Sequence, residues 1–261
     1  MNRIPLNEEN IRQHLNAADV EIQIFSEIDS TNAEARRLSS EGTQHPVLLL
    51  AEYQHAGRGR MGRSFYSPDG MGIYMTYLWH PHAAAGDVIS ATTAAAVAVH
   101  RALRKMLPER SERLQIKWVN DLYLSDKKIC GILTEAVTDP ADGKIRDMWI
   151  GIGINVAPMT FPKELADIAT TLGTKTLNRN ELIAAIMNEL LEILHDPNRY
   201  AHMSYYRDHS MVIGKAVNTI CGDEITAGVV LDIDQDGGMI VRRSDGTVET
   251  IRSGEVSLRL T

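Results

Sequence analysis

Cys130 and Cys221 are the two cysteines in 261 residues, and neither sits in a C-x-x-C pair. A disulfide framework or zinc site is therefore not indicated, and both read as core or half-buried thiols. A long apolar run is also missing. The longest apolar-rich stretch, Ala91 to Val99, is about half a membrane span and contains two threonines. The N-terminus, MNRIPLNEEN, lacks the charged start and apolar stretch of a signal peptide. Nor is there a basic excess: 27 Lys+Arg stand against 34 Asp+Glu, with aromatics at 5%. That balance argues against a DNA- or RNA-binding protein working through a broad basic face. G-x-S-x-G, H-E-x-x-H and G-x-x-x-x-G-K-[ST] do not occur, so esterase, zincin and P-loop readings lose their support. His80-Pro81-His82 has no further ligands at metal spacing. The expectation is a cytoplasmic, reduced protein with no membrane association.

What is present has a clear order. "NEENIRQHL" reads as a short helix capped at Asn7. "EIQIF" alternates like a strand. "STNAEARRLSSEG" reads as a helix, with Thr31 and Glu34 at capping-box spacing and Gly42 to end it. "VLLLAEYQ" suits a strand buried on both faces, and "GIYMTYLWH" the next one. Residues 87–106 predict a long buried helix. "LQIKWVNDLYL", "KKICGILTEAV" and "KIRDMWIGIGINV" read as strands, the last two joined by the turn "DPADGK". "NRNELIAAIMNELLEIL" predicts an amphipathic helix capped at Asn178. From Val212 onward the helical pattern stops and short β segments alternate with "CGDE", "DQDGG" and "SDGT". The fold class expected is α+β. A mixed, mostly antiparallel sheet with helices on one side would span 1–211, and a small all-β barrel 212–261.

One stretch contradicts the acidic balance. "QHAGRGRMGR" places three arginines and three glycines within Gly57 to Arg63. Glycine lets backbone amides approach a ligand, and arginine offers a fixed fork of donors to carboxylates and phosphates. Two further constellations accompany it: "KWVND", Lys117 to Asp121, and "KKICGILTE", with Lys127 and Lys128 before Gly131. "GIGIN", Gly151 to Asn155, lies in a strand pattern without a following helix and is not a dinucleotide fingerprint.

In order and spacing, "DSTN" (29–32), "AEYQHAGRGRMGR" (51–63), "KWVND" (117–121), "KKICGILTE" (127–135), "GIGINV" (151–156) and "GEVSLR" (254–259) resemble the biotin protein ligases over nearly the whole chain. Val119 stands where that family usually has Pro, and Phe65 where it often has Trp. "DSTN" begins at residue 29, which leaves no room for the winged-helix repressor domain of many bacterial members, so no DNA-binding or repressor function is expected. Lipoate ligases share the architecture and the chemistry but lack the G-R-G-R-x-G-R loop.

The resemblance implies a class II synthetase-like catalytic domain that makes biotinyl-5'-AMP from biotin and ATP with Mg2+. The biotin then passes to one lysine of a biotin carboxyl carrier protein. It assigns biotin binding to Ser30, Thr31, Asn32, Gln54, Arg58, Gly59, Arg60 and Lys128. Nucleotide binding falls to Arg60, Arg63, Lys117, Asn120, Asp121, Asn155 and Arg259, with Glu255 nearby. Lys128, Arg58, Arg60 and Asp121 carry catalysis, and Asp121 is the metal ligand or the base that takes a proton from the acceptor lysine. The family commonly forms dimers, so a homodimer is the matching expectation.

Overall fold

Strand β2 (Val47–Gln54) shows why the architecture has layers on both sides of a sheet. Leu48 and Leu50 belong to one buried cluster and Val47 and Leu49 to another, on alternate faces of the same strand. In the computed structural model, which describes residues 4–84, 86–174, 176–221, 224–252 and 254–258, β2 pairs in parallel with β1 (Glu21–Ile28). It pairs antiparallel with β3 (Gly72–Trp79). Beyond β3 come β7 (Ile145–Asn155), β6 (Lys127–Thr138), β5 (Asp121–Leu124) and β4 (Leu114–Lys117), all antiparallel to their neighbours. The result is a seven-stranded sheet ordered β1-β2-β3-β7-β6-β5-β4.

A short helix, α1 (Glu8–Arg12), precedes β1, and the Asn7 side chain caps it through the Asn10 amide. The long helix α3 (Asp87–Met106) buries nearly every residue from Ala91 to Leu103 against β6, β7 and α4 (Arg179–Leu194). Its Ala-rich face allows that close approach. Asn178 caps α4, accepting from the Asn180 amide and donating to Glu181. A short α5 (His202–Asp208) follows. Helix α2 (Thr31–Glu41) departs from this layer. Ala35 and Leu38 pack with Val47, Leu49 and Trp149 on the opposite face of the sheet. Its N-cap is Ser30, so Thr31 is already helical and no capping box forms; Glu34 pairs with Arg37 instead. Gly42 ends α2 in the left-handed region at φ 83°, as its position predicts.

The single strand expected over 114–124 is a hairpin. Its turn, Trp118-Val119-Asn120, places Lys117 opposite Asp121, and the Trp118–Val119 peptide is cis. Asn120 anchors that turn to β6: its Nδ2 donates to the Ile132 carbonyl, and its carbonyl accepts from the Ile132 amide.

The C-terminal part is a second sheet. It comprises β8 (Ala216–Cys221), β9 (Glu224–Ile233), β10 (Met239–Arg243), β11 (Val248–Ile251) and β12 (Glu255–Leu258), ordered β11-β10-β9-β8-β12. It meets the larger part through hydrogen bonds that are wholly or partly buried. Trp118 Nε1 donates to the Gly237 carbonyl at 2.8 Å, and Arg207 Nη1 to the Ile233 carbonyl at 3.1 Å.

Candidate active site

The face opposite α3 is covered by α2 at one end only. Over the remainder, where β3, β7 and β6 run side by side, lies a cleft of about 380 Å3. That is within the ~300–1,000 Å3 usual for small-molecule sites.

One wall is the start of α2. Asp29 is clamped by both Arg37 terminal nitrogens at 2.9 Å, which hold its carboxyl down at about 2. This clamp fixes where α2 begins. Thr31 then donates its amide (2.8 Å) and its hydroxyl (3.1 Å) to Gln54 Oε1. Gln54 Nε2 donates to Ser67 Oγ at 2.9 Å, and Ser67 Oγ to the Phe65 carbonyl. Thr76 Oγ1, fully buried in β3, lies 2.8 Å from both Thr31 Oγ1 and Asn32 Oδ1. Thr31, Asn32 and Gln54 are therefore joined through Thr76 into one bonded polar wall, and Ser30 lines the cleft beside them.

The floor is backbone. Gly131 of β6 pairs with Gly153 of β7, and Gly151 pairs with Leu133. A Cβ on Gly153 would fall 2.5 Å from the Phe65 ring, and one on Gly151 would fall 1.8 Å from Asn32 Oδ1. "GIGIN" is thus a strand whose isoleucines enter the core under α3 while its glycines open the other face.

The Arg/Gly segment crosses the cleft as a tight hairpin. Phe65 N donates to the Gly57 carbonyl at 2.8 Å and Gly59 N to the Arg63 carbonyl at 2.7 Å, with left-handed φ at Met61 and Gly62. At Gly57 a Cβ would strike the Phe65 carbonyl at 2.5 Å, so only glycine permits this closure. Arg58, Arg60 and Arg63 all line the cleft. Arg60 reaches across it, donating to Asn120 Oδ1 at 3.0 Å and more weakly to the Gly254 carbonyl at 3.4 Å.

The far end holds the remaining charges. Lys128 Nζ lies 2.7 Å from Asp121 Oδ1. That oxygen has no aligned hydrogen bond, so the contact is an ion pair rather than a directional bond. Lys117 Nζ donates to the Tyr123 hydroxyl at 3.2 Å and sits over its ring. Burial, with Asp121 beside it, pushes the Tyr123 phenol up. Asn155 ends β7; its Nδ2 donates to the Thr170 carbonyl, while its buried Oδ1 has no partner among the described residues.

The structure brings together Ser30, Thr31, Asn32, Gln54, Arg58, Gly59, Arg60, Arg63, Lys117, Asn120, Asp121, Lys128 and Asn155 around this cleft. Arg259 and the Glu255 side chain lie outside what is described. Sequence reasoning missed the glycine floor, Trp118, Thr76 and the segment 161–169. That segment pairs along β6: Lys128 N donates to the Ile168 carbonyl and Thr170 N to the Lys128 carbonyl. The Gly/Ile alternation of "GIGIN" was the available signal for the floor; 161–169 has no periodic signature. No group of three or more His, Cys, Asp or Glu able to hold a metal occurs among the described residues.

The chain is similar to known proteins along most of its length. Residues 24–155 match the biotin/lipoate A/B protein ligase family, and residues 212–259 match the biotin protein ligase C-terminal domain. The chain is 30% identical to the bifunctional ligase/repressor BirA of Escherichia coli, over 98% of this chain and 79% of that protein. It is 28% identical to the biotin–[acetyl-CoA-carboxylase] ligase of Mycobacterium tuberculosis, over 98% and 97%. The biotin protein ligase of Aquifex aeolicus, solved in complex with biotin and ATP, superimposes with TM-score 0.76 at 27% identity, covering 92% of this chain and 99% of that one.

The fold and cleft are those of a ligase. The chain belongs to the biotin/lipoate A/B protein ligase family and, within it, to the biotin protein ligases.

Proposed function

We propose that this enzyme activates biotin with ATP to biotinyl-5'-AMP and transfers the biotin to one lysine of a biotin carboxyl carrier protein domain. The observation that carries the reading is the charge of the cleft. Arg58, Arg60, Arg63, Lys117 and Lys128 converge on a glycine floor, with Asp121 the one carboxylate among the described lining residues. Such a site suits a substrate with an anionic acid and a polyphosphate. Residues 1–211 are the proposed catalytic domain and 212–261 a domain that closes its nucleotide end. The proposed compartment is the cytoplasm, where ATP is supplied; Cys130 is a free, buried thiol.

In the first half-reaction a biotin carboxylate oxygen attacks the α-phosphorus and pyrophosphate leaves. The carboxylate is already ionised, so positioning and charge neutralisation are what the protein must supply. The polar wall from Ser30 to Gln54 receives the ring end of biotin. Lys128 faces the carboxylate end, and Arg58 and Arg60 close over the junction. Asn120, Lys117, Arg63 and Asn155 serve the nucleotide, with Arg259 as a further contact.

Mg2+ fits the site in one form. A single carboxylate among the described lining residues suits an ion that arrives on the triphosphate and keeps phosphate and water oxygens. Asp121 would hold it, and the ion would neutralise polyphosphate charge. In the second half-reaction the acceptor lysine, with an ordinary pKa of about 10.4, must lose a proton before its amine attacks the acyl carbon. AMP leaves and an amide forms. Asp121, released once Lys128 moves from its 2.7 Å contact to the adenylate, is the proposed acceptor of that proton.

The test is pyrophosphate release with ATP, Mg2+ and either biotin or lipoate. Release with biotin and transfer of label to a carrier domain are expected. Release with lipoate alone, or none at all, would overturn the reading.

A further inference from the structure

Glu135 lies behind the cleft wall and bonds to a residue that lines it. Its Oε2 accepts from two donors, Asn32 Nδ2 at 3.1 Å and Trp149 Nε1 at 3.1 Å. Asn32 Nδ2 also donates to the Leu133 carbonyl at 3.2 Å. An asparagine amide has two ends of similar shape and opposite polarity. A carbonyl oxygen and a carboxylate can only accept, so both demand the amino end. Oδ1 is thereby forced the other way. It faces Thr76 Oγ1 at 2.8 Å and lies over the floor at Gly151.

We propose that Glu135 is a positioning residue that fixes the polarity of Asn32, so that the cleft wall offers an acceptor here and selects a ligand carrying N–H. This rests on the biotin reading, in which the N–H belongs to the ureido ring. Thr76, whose one proton lies between Thr31 Oγ1 and Asn32 Oδ1, extends the same ordering along the wall.

A purely structural role would be different. Trp149 is buried, and its indole N–H needs an acceptor. Were that Glu135's only task, removing the indole N–H would matter as much as removing the carboxylate.

The experiment uses the full chain and steady-state pyrophosphate release, with biotin calorimetry and thermal melting alongside. Glu135→Ala should raise KM for biotin about tenfold at unchanged KM for ATP, and Glu135→Gln, which keeps an acceptor oxygen, should stay within about threefold of wild type. Trp149→Phe should lower the melting temperature and leave KM for biotin in place. The proposal falls if Glu135→Ala leaves KM for biotin unchanged, if both KM values rise together, or if Trp149→Phe matches it. Should the alanine variant not fold, the other two decide: a Gln variant that loses biotin binding removes the acceptor argument. Wild-type protein that takes up no biotin sinks the functional reading itself. Biotin bound equally by wild type and Glu135→Ala sinks only the role of Glu135.

Discussion

Lys128 and Asp121 neutralise one another at 2.7 Å across adjacent strands, at the charged end of the cleft. Each is also the group that the proposed chemistry requires elsewhere. Lys128 must leave Asp121 to meet a carboxylate or phosphate, and its departure frees Asp121. The pair is thus a resting arrangement with two uses stored in it.

Lys128→Ala removes the cation from both states. The uncompensated anion should cost about 2–5 kcal/mol in a desolvated site. Pyrophosphate release and carrier labelling should therefore fall together, by at least tenfold. Normal ATP turnover in this variant would remove Lys128 from the machinery.

Exposure of the Arg/Gly hairpin gives a second test. Met61, Gly62, Arg63 and Ser64 are all exposed, and three arginines sit close together. Trypsin should cut the free protein after Arg58, Arg60 or Arg63, and biotin should suppress that cleavage. Equal rates with and without biotin would show that the hairpin does not close on the ligand.

Arg60→Gly breaks the bonds from the hairpin to Asn120 and to the Gly254 carbonyl. Each charge-assisted bond lost is worth about 1.5–3 kcal/mol, which corresponds to roughly ten- to a hundredfold faster escape of an adenylate. Lys128 remains, so synthesis should continue. Bulk albumin incubated with this variant, ATP and biotin should become labelled, as read on a streptavidin blot. A clean blot and an unchanged adenylate off-rate would place containment elsewhere.

Two buried imidazoles set an acid limit. Burial holds His100 and His202 down to about 4, with Arg101 adding to the effect at His202. Their unfolded value is near 6.5, so between pH 6.5 and 4 the unfolded chain binds more protons. Stability is then fully present above the upper value and is lost as pH falls, levelling off near the lower. Each group contributes a slope of about 1.4 kcal/mol per pH unit inside that window. Urea unfolding at pH 7 and pH 4.5 should show the loss, and a His100→Gln/His202→Gln variant should show a flatter profile. A wild-type profile already flat over this range would contradict the assignment.

Much of this molecule is legible before folding. The apolar run of β2, the caps at Asn7 and Asn178, the end of α2 at Gly42 and the antiparallel strands all follow from local pattern. The Arg/Gly loop announces itself because its charge opposes that of the chain. Other parts depend on distance in space. Asn120-Asp121 is a local turn signal inside an otherwise strand-like run, and the hairpin it forms over 114–124 is anchored by the Asn120 bonds to Ile132. The side of the sheet that α2 takes is set by Ala35 and Leu38 meeting Trp149, which lies over a hundred residues away. Residues 161–169 reach the cleft only because β6 offers them its backbone.

The glycine floor makes the cleft asymmetric toward mutation. Gly131, Gly151 and Gly153 already carry the least that any residue can, and main-chain atoms are the same whatever the side chain. Every replacement there can only make the recess shallower. A ligase with an enlarged recess cannot be reached through these three positions. It must come from the side chains around them, at Leu133 beside Gly151 or at Phe65 in the roof, where there are atoms to take away.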